Sequence, residues 1–179
     1  MKSETKLRDM LRQATSDAHQ RAEAQWMPNG GRMSAQRYQC YLTMLLSVHQ
    51  AMGVPAAHAR GDLPDIEAED RRVRALCSDL NMPKKDISIP VLDPSYAWGV
   101  GYVLNGSALG AKEMLQKGRI QQDWPNAYVL ALQSYANSGQ LARFFARLND
   151  TRLDNITALQ GAQDTFGLIA EPAQKVLAQ

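Results

Sequence analysis

The chain has 179 residues, of which 45 % are hydrophobic and 21 % charged, a composition ordinary for a globular domain with a real core. Lysine and arginine number 20 against 18 acids, a net charge of +2 spread along the chain, so there is no clustered basic stripe of the kind that binds nucleic acid. No apolar run approaches the roughly 18 residues of a membrane span, and "MKSETKLRDML" lacks the apolar centre of a signal peptide. The two cysteines, Cys40 and Cys77, form no CxxC pair and are expected as buried thiols in a reducing compartment. The expectation is a cytoplasmic protein with no membrane and no nucleic-acid partner.

The periodicity is helical almost throughout, without alternation of strand type. A first helix is expected from about Ser3, its N-cap, to about Ala24, with Leu7, Met10, Leu11, Ala14 and Ala18 inward. "MPNGGRM" breaks it. A second begins after Ser34, carries Tyr38, Tyr41, Leu42, Leu45, Val48 and Met52, and stops near Gly53 and Pro55. "HARGDLPDIEAED" reads as a loop at first. A third helix holds Val73, Leu76, Cys77 and Leu80 and ends before Pro83.

"KKDISIPVLDP" is a long connection, and Asp93-Pro94 supplies a cap followed by a first-turn proline. The next helix runs to about Gly118 and contains "GYVLNGSALGAKEM", residues 101–114. Further helices are expected near 125–136 and 139–148. The last spans about Arg152 to Ala178, bent at Gly161, Gly167 or Pro172, with Leu153, Ile156, Leu159 and Phe166 inward. Residues 1–179 thus read as one compact all-α domain of six to eight helices.

The glycine-rich helix raises a question of cost. Each interior glycine destabilises a helix by about 1 kcal/mol relative to alanine. At 100° per residue, Gly99, Val103, Gly106 and Gly110 share a narrow stripe. Such a bare stripe serves either close helix–helix packing or a flat ligand laid against the backbone, and glycine also lets a helix flex.

Among the three histidines, His19 lies at the border of the first helix's apolar stripe. Arg12 is two turns earlier on nearly the same side, about 10 Å along the axis. His19 reads either as a half-exposed surface residue or as a metal ligand. His49 is expected to be packed or at a border, and His58 solvated in a loop. No HxxxH or ExxH spacing, GxSxG, Walker or dinucleotide fingerprint occurs.

Two segments taken together resemble the heme oxygenase family. "LRQATSDAHQRAEA" is similar to its N-terminal L-x-x-A-T-x-x-x-H stretch, which carries the proximal iron ligand. "GYVLNGSALGAKEM" is similar to its distal helix, in the Y-V-x-E-G-S-x-L-G-G form of bacterial, phytochrome-associated members. "RVRALCSDLNM" and "GAQDTFGLI" also resemble that branch. The resemblance spans most of the chain in the family's order. Asn105 stands where the pattern has Glu, and Ala111 where it has a second glycine.

The resemblance implies heme held between the first helix and a kinked, glycine-rich distal helix. It implies His19 as the axial iron ligand and Arg12 as partner of a heme propionate. Arg143 and Arg147 are the candidates for the second propionate. The distal residues would be Asn105, Gly106, Ser107 and Gly110, the glycines leaving space for O₂. The implied reaction consumes heme, O₂ and electrons from a ferredoxin or an NAD(P)H-dependent reductase. It yields biliverdin, carbon monoxide and ferrous iron, and a bacteriophytochrome would use the biliverdin. Two other readings remain from the residues: a non-catalytic heme or tetrapyrrole carrier on the same scaffold, and a helical scaffold without heme.

Overall fold

The computed structural model describes residues 6–26, 32–121 and 123–170, and these contain helices and no strand. In chain order they form α1 (Leu7–Ala14), α2 (Ser16–Trp26), α3 (Ala35–Val48), a π-helical turn (His49–Gly53), α4 (Val54–Arg60), α5 (Leu63–Asp79), α6 (Pro94–Gln116), α7 (Ala127–Asn137), α8 (Gln140–Asp150) and α9 (Asn155–Ile169). The all-α expectation holds. The described helices outnumber the expected six to eight because the first expected helix is divided in two and the second is followed at once by a further helix, α4.

The first division falls at Thr15, where the backbone leaves the helical region (φ −105°, ψ 4°). The Thr15 hydroxyl donates to the Leu11 carbonyl at 2.7 Å, a local bond that competes with the helix ladder and bends it. The expected cap Ser3 lies outside the described residues. The added helix corrects the expected stop at Gly53 and Pro55. The π-helical turn takes up Pro55, whose missing N–H would break a regular ladder, in the first turn of α4. The chain therefore stays helical to Arg60, and the connection to α5 shrinks to Gly61 and Asp62. Gly61 closes α4 with φ +67°, a left-handed cap that suits glycine.

Other boundaries follow local chemistry. Ser34 caps α3 by accepting from the Arg37 N–H, and Asp93 caps α6 by accepting from Ser95 and Tyr96, with Pro94 in the first turn. Asp154, not Arg152, starts the last helix by accepting from Thr157. α9 runs unbroken through Gly161 and Gly167, and Pro172 and the expected end at Ala178 lie outside the described residues. Ile156 is 80 % exposed rather than inward, two residues past the cap Asp154.

The core is continuous and apolar, built on Leu11, Trp26, Leu76, Val100, Tyr128, Phe144 and Leu148. α6 is its central element and packs most closely on α9. A Cβ on Gly99 would stand 1.8 Å from the Ala158 carbonyl oxygen, and one on Gly161 would stand 2.2 Å from that of Tyr96. Backbone meets backbone there, so the first half of the bare stripe serves packing. Cys40 and Cys77 are both buried and free. Among the described residues no helix is long and apolar enough to cross a membrane.

Candidate functional site

α6 meets the first two helices at two places, one near Thr15, between α1 and α2, and one near Glu23 of α2. At one end Tyr102 of α6 stands beside Thr15, Arg8 and Arg12. Burial pushes its phenol pKa up, against the opposing effects of Thr15 and the two arginines. At the other end Arg119 donates to Glu23 of α2 at 3.3 Å and to Glu113 of α6 at 3.2 Å. From Thr15 to Glu23 is roughly 12 Å of helix, and from Tyr102 to Glu113 roughly 16 Å. His19 lies midway along the first span, and Gly106 and Gly110 lie within the second.

The stretches of α2 and α6 between these two places differ in chemistry. His19 is exposed, and its ring meets Phe166 of α9 edge-on at 5.8 Å between centroids. Among the described residues neither ring nitrogen has a hydrogen-bond partner. On α6, a Cβ built on Gly106 or Gly110 would meet nothing within 4 Å. The one glycine stripe therefore does two jobs: α9 covers it at Gly99 and leaves it at Gly106. Arg12 is exposed and lines an open groove of about 380 Å³ with Asp9, Gln13 and Ser16. Arg12, Ser16 and His19 follow one another at helical spacing, on a path bent at Thr15.

Asn105 and Ser107 do not simply continue this surface. Asn105 is buried, and its Oδ1 accepts from Arg72 Nη1 at 2.8 Å. The Ser107 hydroxyl is half-buried and donates to the Leu104 carbonyl at 2.6 Å. Arg143 and Arg147 both meet Asp62 in the α4–α5 turn, Arg143 at 3.7 Å and Arg147 in direct contact, and Arg147 also lies over the Trp98 ring at 5.3 Å. The two arginines thus already share a carboxylate from within the chain.

Behind α6 sits a buried polar cluster that the sequence analysis missed. Arg72 Nη1 also donates to Glu69 Oε2 at 3.0 Å, and the other Glu69 oxygen meets His49 Nδ1. His49 is fully buried, and its Nε2 bonds the Tyr128 hydroxyl at 2.8 Å. Both ring nitrogens of His49 are therefore committed, whereas His58 is exposed on α4, a helix rather than a loop. Burial raises the Glu69 carboxyl, but His49, Arg72 and Arg60 outweigh it and hold the pKa at about 2. Arg72 Nε and Nη2 and Asn105 Nδ2 are buried donors without a protein partner, although the Arg72 guanidinium lies 4.4 Å from the Tyr135 ring centroid. Such donors call for an acceptor, and they lie on the inner side of α6, one residue from Gly106. The signal for this cluster was present in α5: Asp65, Glu69 and Arg72 fall at i, i+4 and i+7, on the apolar face with Ala68, Val73 and Leu76.

The described residues thus form an all-helical domain with an uncommitted imidazole on α2 and a glycine stripe on α6 that is bare at Gly106 and Gly110. No family model matches the chain, and no curated protein is similar to it in sequence. Among solved structures it is similar to the heme oxygenase of Neisseria meningitidis, determined with NO and CO bound. The TM-score is 0.66 at 20 % identity, over 98 % of this chain and 94 % of that one. The likeness extends over nearly the whole of both chains, and the fold is the heme oxygenase fold.

Proposed function

We propose that the chain is a heme oxygenase, which binds heme between α2 and the second half of α6 and cleaves it to biliverdin, carbon monoxide and ferrous iron. What supports this reading is that the chain offers both His19, an exposed imidazole with both nitrogens uncommitted, and Gly106 and Gly110, where even a methyl would meet nothing. A flat macrocycle with a metal centre needs a ligating nitrogen on one face and a wall without side chains on the other. Heme, as substrate and cofactor, supplies the iron at which O₂ is activated, and electrons come from a ferredoxin or an NAD(P)H-dependent reductase.

The chain's own residues divide the remaining work. His19 ligates iron through a neutral ring nitrogen, and Phe166 limits rotation of that ring. Gly106 and Gly110 admit the macrocycle and leave room for a diatomic ligand. Arg12 holds a propionate at the open groove, a charge-assisted contact. Arg143 or Arg147 would serve a second propionate only by exchanging Asp62 for it. Ser107 fixes the local backbone through Leu104. Asn105 acts from behind, since Arg72 holds its carbonyl oxygen and leaves its N–H₂ group as a donor next to the distal wall. The reading includes a bacterial, cytoplasmic setting in which biliverdin serves a bacteriophytochrome.

The orientation of Asn105 supports a second reading, a heme or tetrapyrrole carrier. A carboxylate at that position is the family pattern, and here an amide is tied into the interior. Hemin titration followed by ascorbate or a reductase in air separates the two. Replacement of the Soret band by broad red absorption supports the enzyme. A stable ferric or ferrous-oxy spectrum supports the carrier, and absence of any Soret shift on mixing refutes both.

A further inference from the structure

Arg60 closes α4 with its side chain only 4 % exposed. Its Nε donates to Asp65 Oδ2 at 3.4 Å, and Asp65 Oδ1 accepts from the Tyr135 hydroxyl at 3.2 Å. Its Nη1 crosses to α6 and donates to the Ala97 carbonyl at 2.8 Å. That oxygen sits inside a helix, where a second lone pair remains for an outside donor. The guanidinium also packs near the rings of Trp98 and Phe144, at 5.8 and 5.5 Å from their centroids. A Cβ on Gly101 would stand 2.6 Å from Nη1. Gly101 is therefore bare to make room for a side chain of the protein itself.

Gly99 and Gly101 lie 200° apart around the helix. The α9 backbone presses on the first and Arg60 on the second, so residues 96–101 are gripped from nearly opposite sides. A Cβ on Gly106 or Gly110 would meet nothing within 4 Å beyond its own stretch of helix.

We propose that Arg60 is a positioning residue: by holding the Ala97 carbonyl and filling the notch at Gly101 it fixes the first half of α6 against α9, so that the helix yields only around Gly106–Gly110. The grip itself is a property of the chain without ligand, and its consequence for heme cleavage rests on the proposed function. Arg60 touches neither substrate nor iron and acts only through the direction it gives α6.

The test compares the parent with Arg60→Met, Arg60→Lys and Gly101→Ala, all as the full chain. Hydrogen exchange of the apo proteins is followed by mass spectrometry. Arg60→Met is expected to raise exchange of amides in 97–104 by about ten-fold or more, with peptides from α3 unchanged. Gly101→Ala, which keeps the Arg60–Asp65 pair but forces Nη1 off Ala97, is expected to do the same. Arg60→Lys, which keeps one donor, is expected to fall between. If Arg60→Met fails to fold, Gly101→Ala carries the test, and parental exchange there overturns the grip. After loading with hemin and turnover, Arg60→Met and Gly101→Ala are expected to give mixed biliverdin isomers where the parent gives one. Raised exchange with a single unchanged isomer overturns the role in positioning the site. A parent that shows no Soret shift with hemin refutes the proposed function while leaving the exchange result to decide the grip.

Discussion

Replacing Gly106 with alanine should make the apo protein more stable and the loaded protein worse. Glycine in a helix interior costs about 1 kcal/mol relative to alanine. Gly106 has no positive φ to defend, and an added Cβ meets no atom within 4 Å. The full propensity gain should therefore appear, about 1 kcal/mol, which for a domain of this size raises Tm by about 2–4 °C. Urea unfolding of the apo protein reads the gain directly, as a higher midpoint at unchanged slope. On the proposed function the same methyl would enter the space that heme occupies. Gly106→Ala should slow biliverdin formation, and Gly106→Leu should abolish it or prevent hemin from binding, with the helical spectrum retained. An apo protein destabilised by Gly106→Ala would mean that the face is packed after all. Parental hemin affinity and turnover in Gly106→Leu would remove this face from the ligand site.

Other substitutions test the remaining parts. Gly99→Ala places a methyl against the Ala158 carbonyl and should cost about 2–3 kcal/mol in urea unfolding, the opposite sign to Gly106→Ala. Glu69, whose pKa is held below the ordinary carboxylate value of 4.5 at about 2, favours the fold fully above its unfolded pKa. That contribution, of order ~3 kcal/mol, is lost as pH falls from about 4.5 to about 2; an acid titration of stability in which Glu69→Gln keeps the parental slope in that window would refute it. Arg12→Ala should weaken hemin binding about ten-fold and yield more than one biliverdin isomer, while unchanged affinity with a single isomer would exclude Arg12 from the site.

The sequence carried the helices best where local chemistry decides them. Ser34 and the Asp93-Pro94 pair start α3 and α6 as their capping chemistry requires, and Tyr38, Leu42, Leu45, Val48, Val73, Leu76 and Cys77 of the expected stripes are buried, while Tyr41, Met52 and Leu80 are half-buried. It carried less where one group's local bond competes with the ladder: the Thr15 hydroxyl divides the first helix, and the π-helical turn absorbs Pro55. The glycine stripe was visible, but its division was not. Gly99 and Gly106 share one face of α6, and only the path of α9 makes the first a packing contact and the second open space. Gly101, on the other side of the helix, is explained by Arg60, whose segment read as a loop. Arg143 and Arg147 carry no mark of their shared partner, because Asp62 is about 80 residues distant in sequence and meets them only through the tertiary fold. The buried cluster around Glu69 and Arg72 was hidden among charges that resemble a solvated face, and only its registry with the apolar stripe of α5 sets it apart.

Resonance Raman spectroscopy of the ferrous, hemin-loaded protein tests the central claim most directly. His19 is exposed on α2 with both ring nitrogens uncommitted, His49 has both engaged with Glu69 and Tyr128, and His58 is exposed on α4. The account predicts an iron–histidine stretch in the parent that is absent from His19→Ala and retained in His49→Ala and His58→Ala. Apo stability of His19→Ala should fall little, since an exposed side chain buries little area. An iron–histidine band that persists in His19→Ala and disappears in His49→Ala would contradict the account and move the site to the buried cluster.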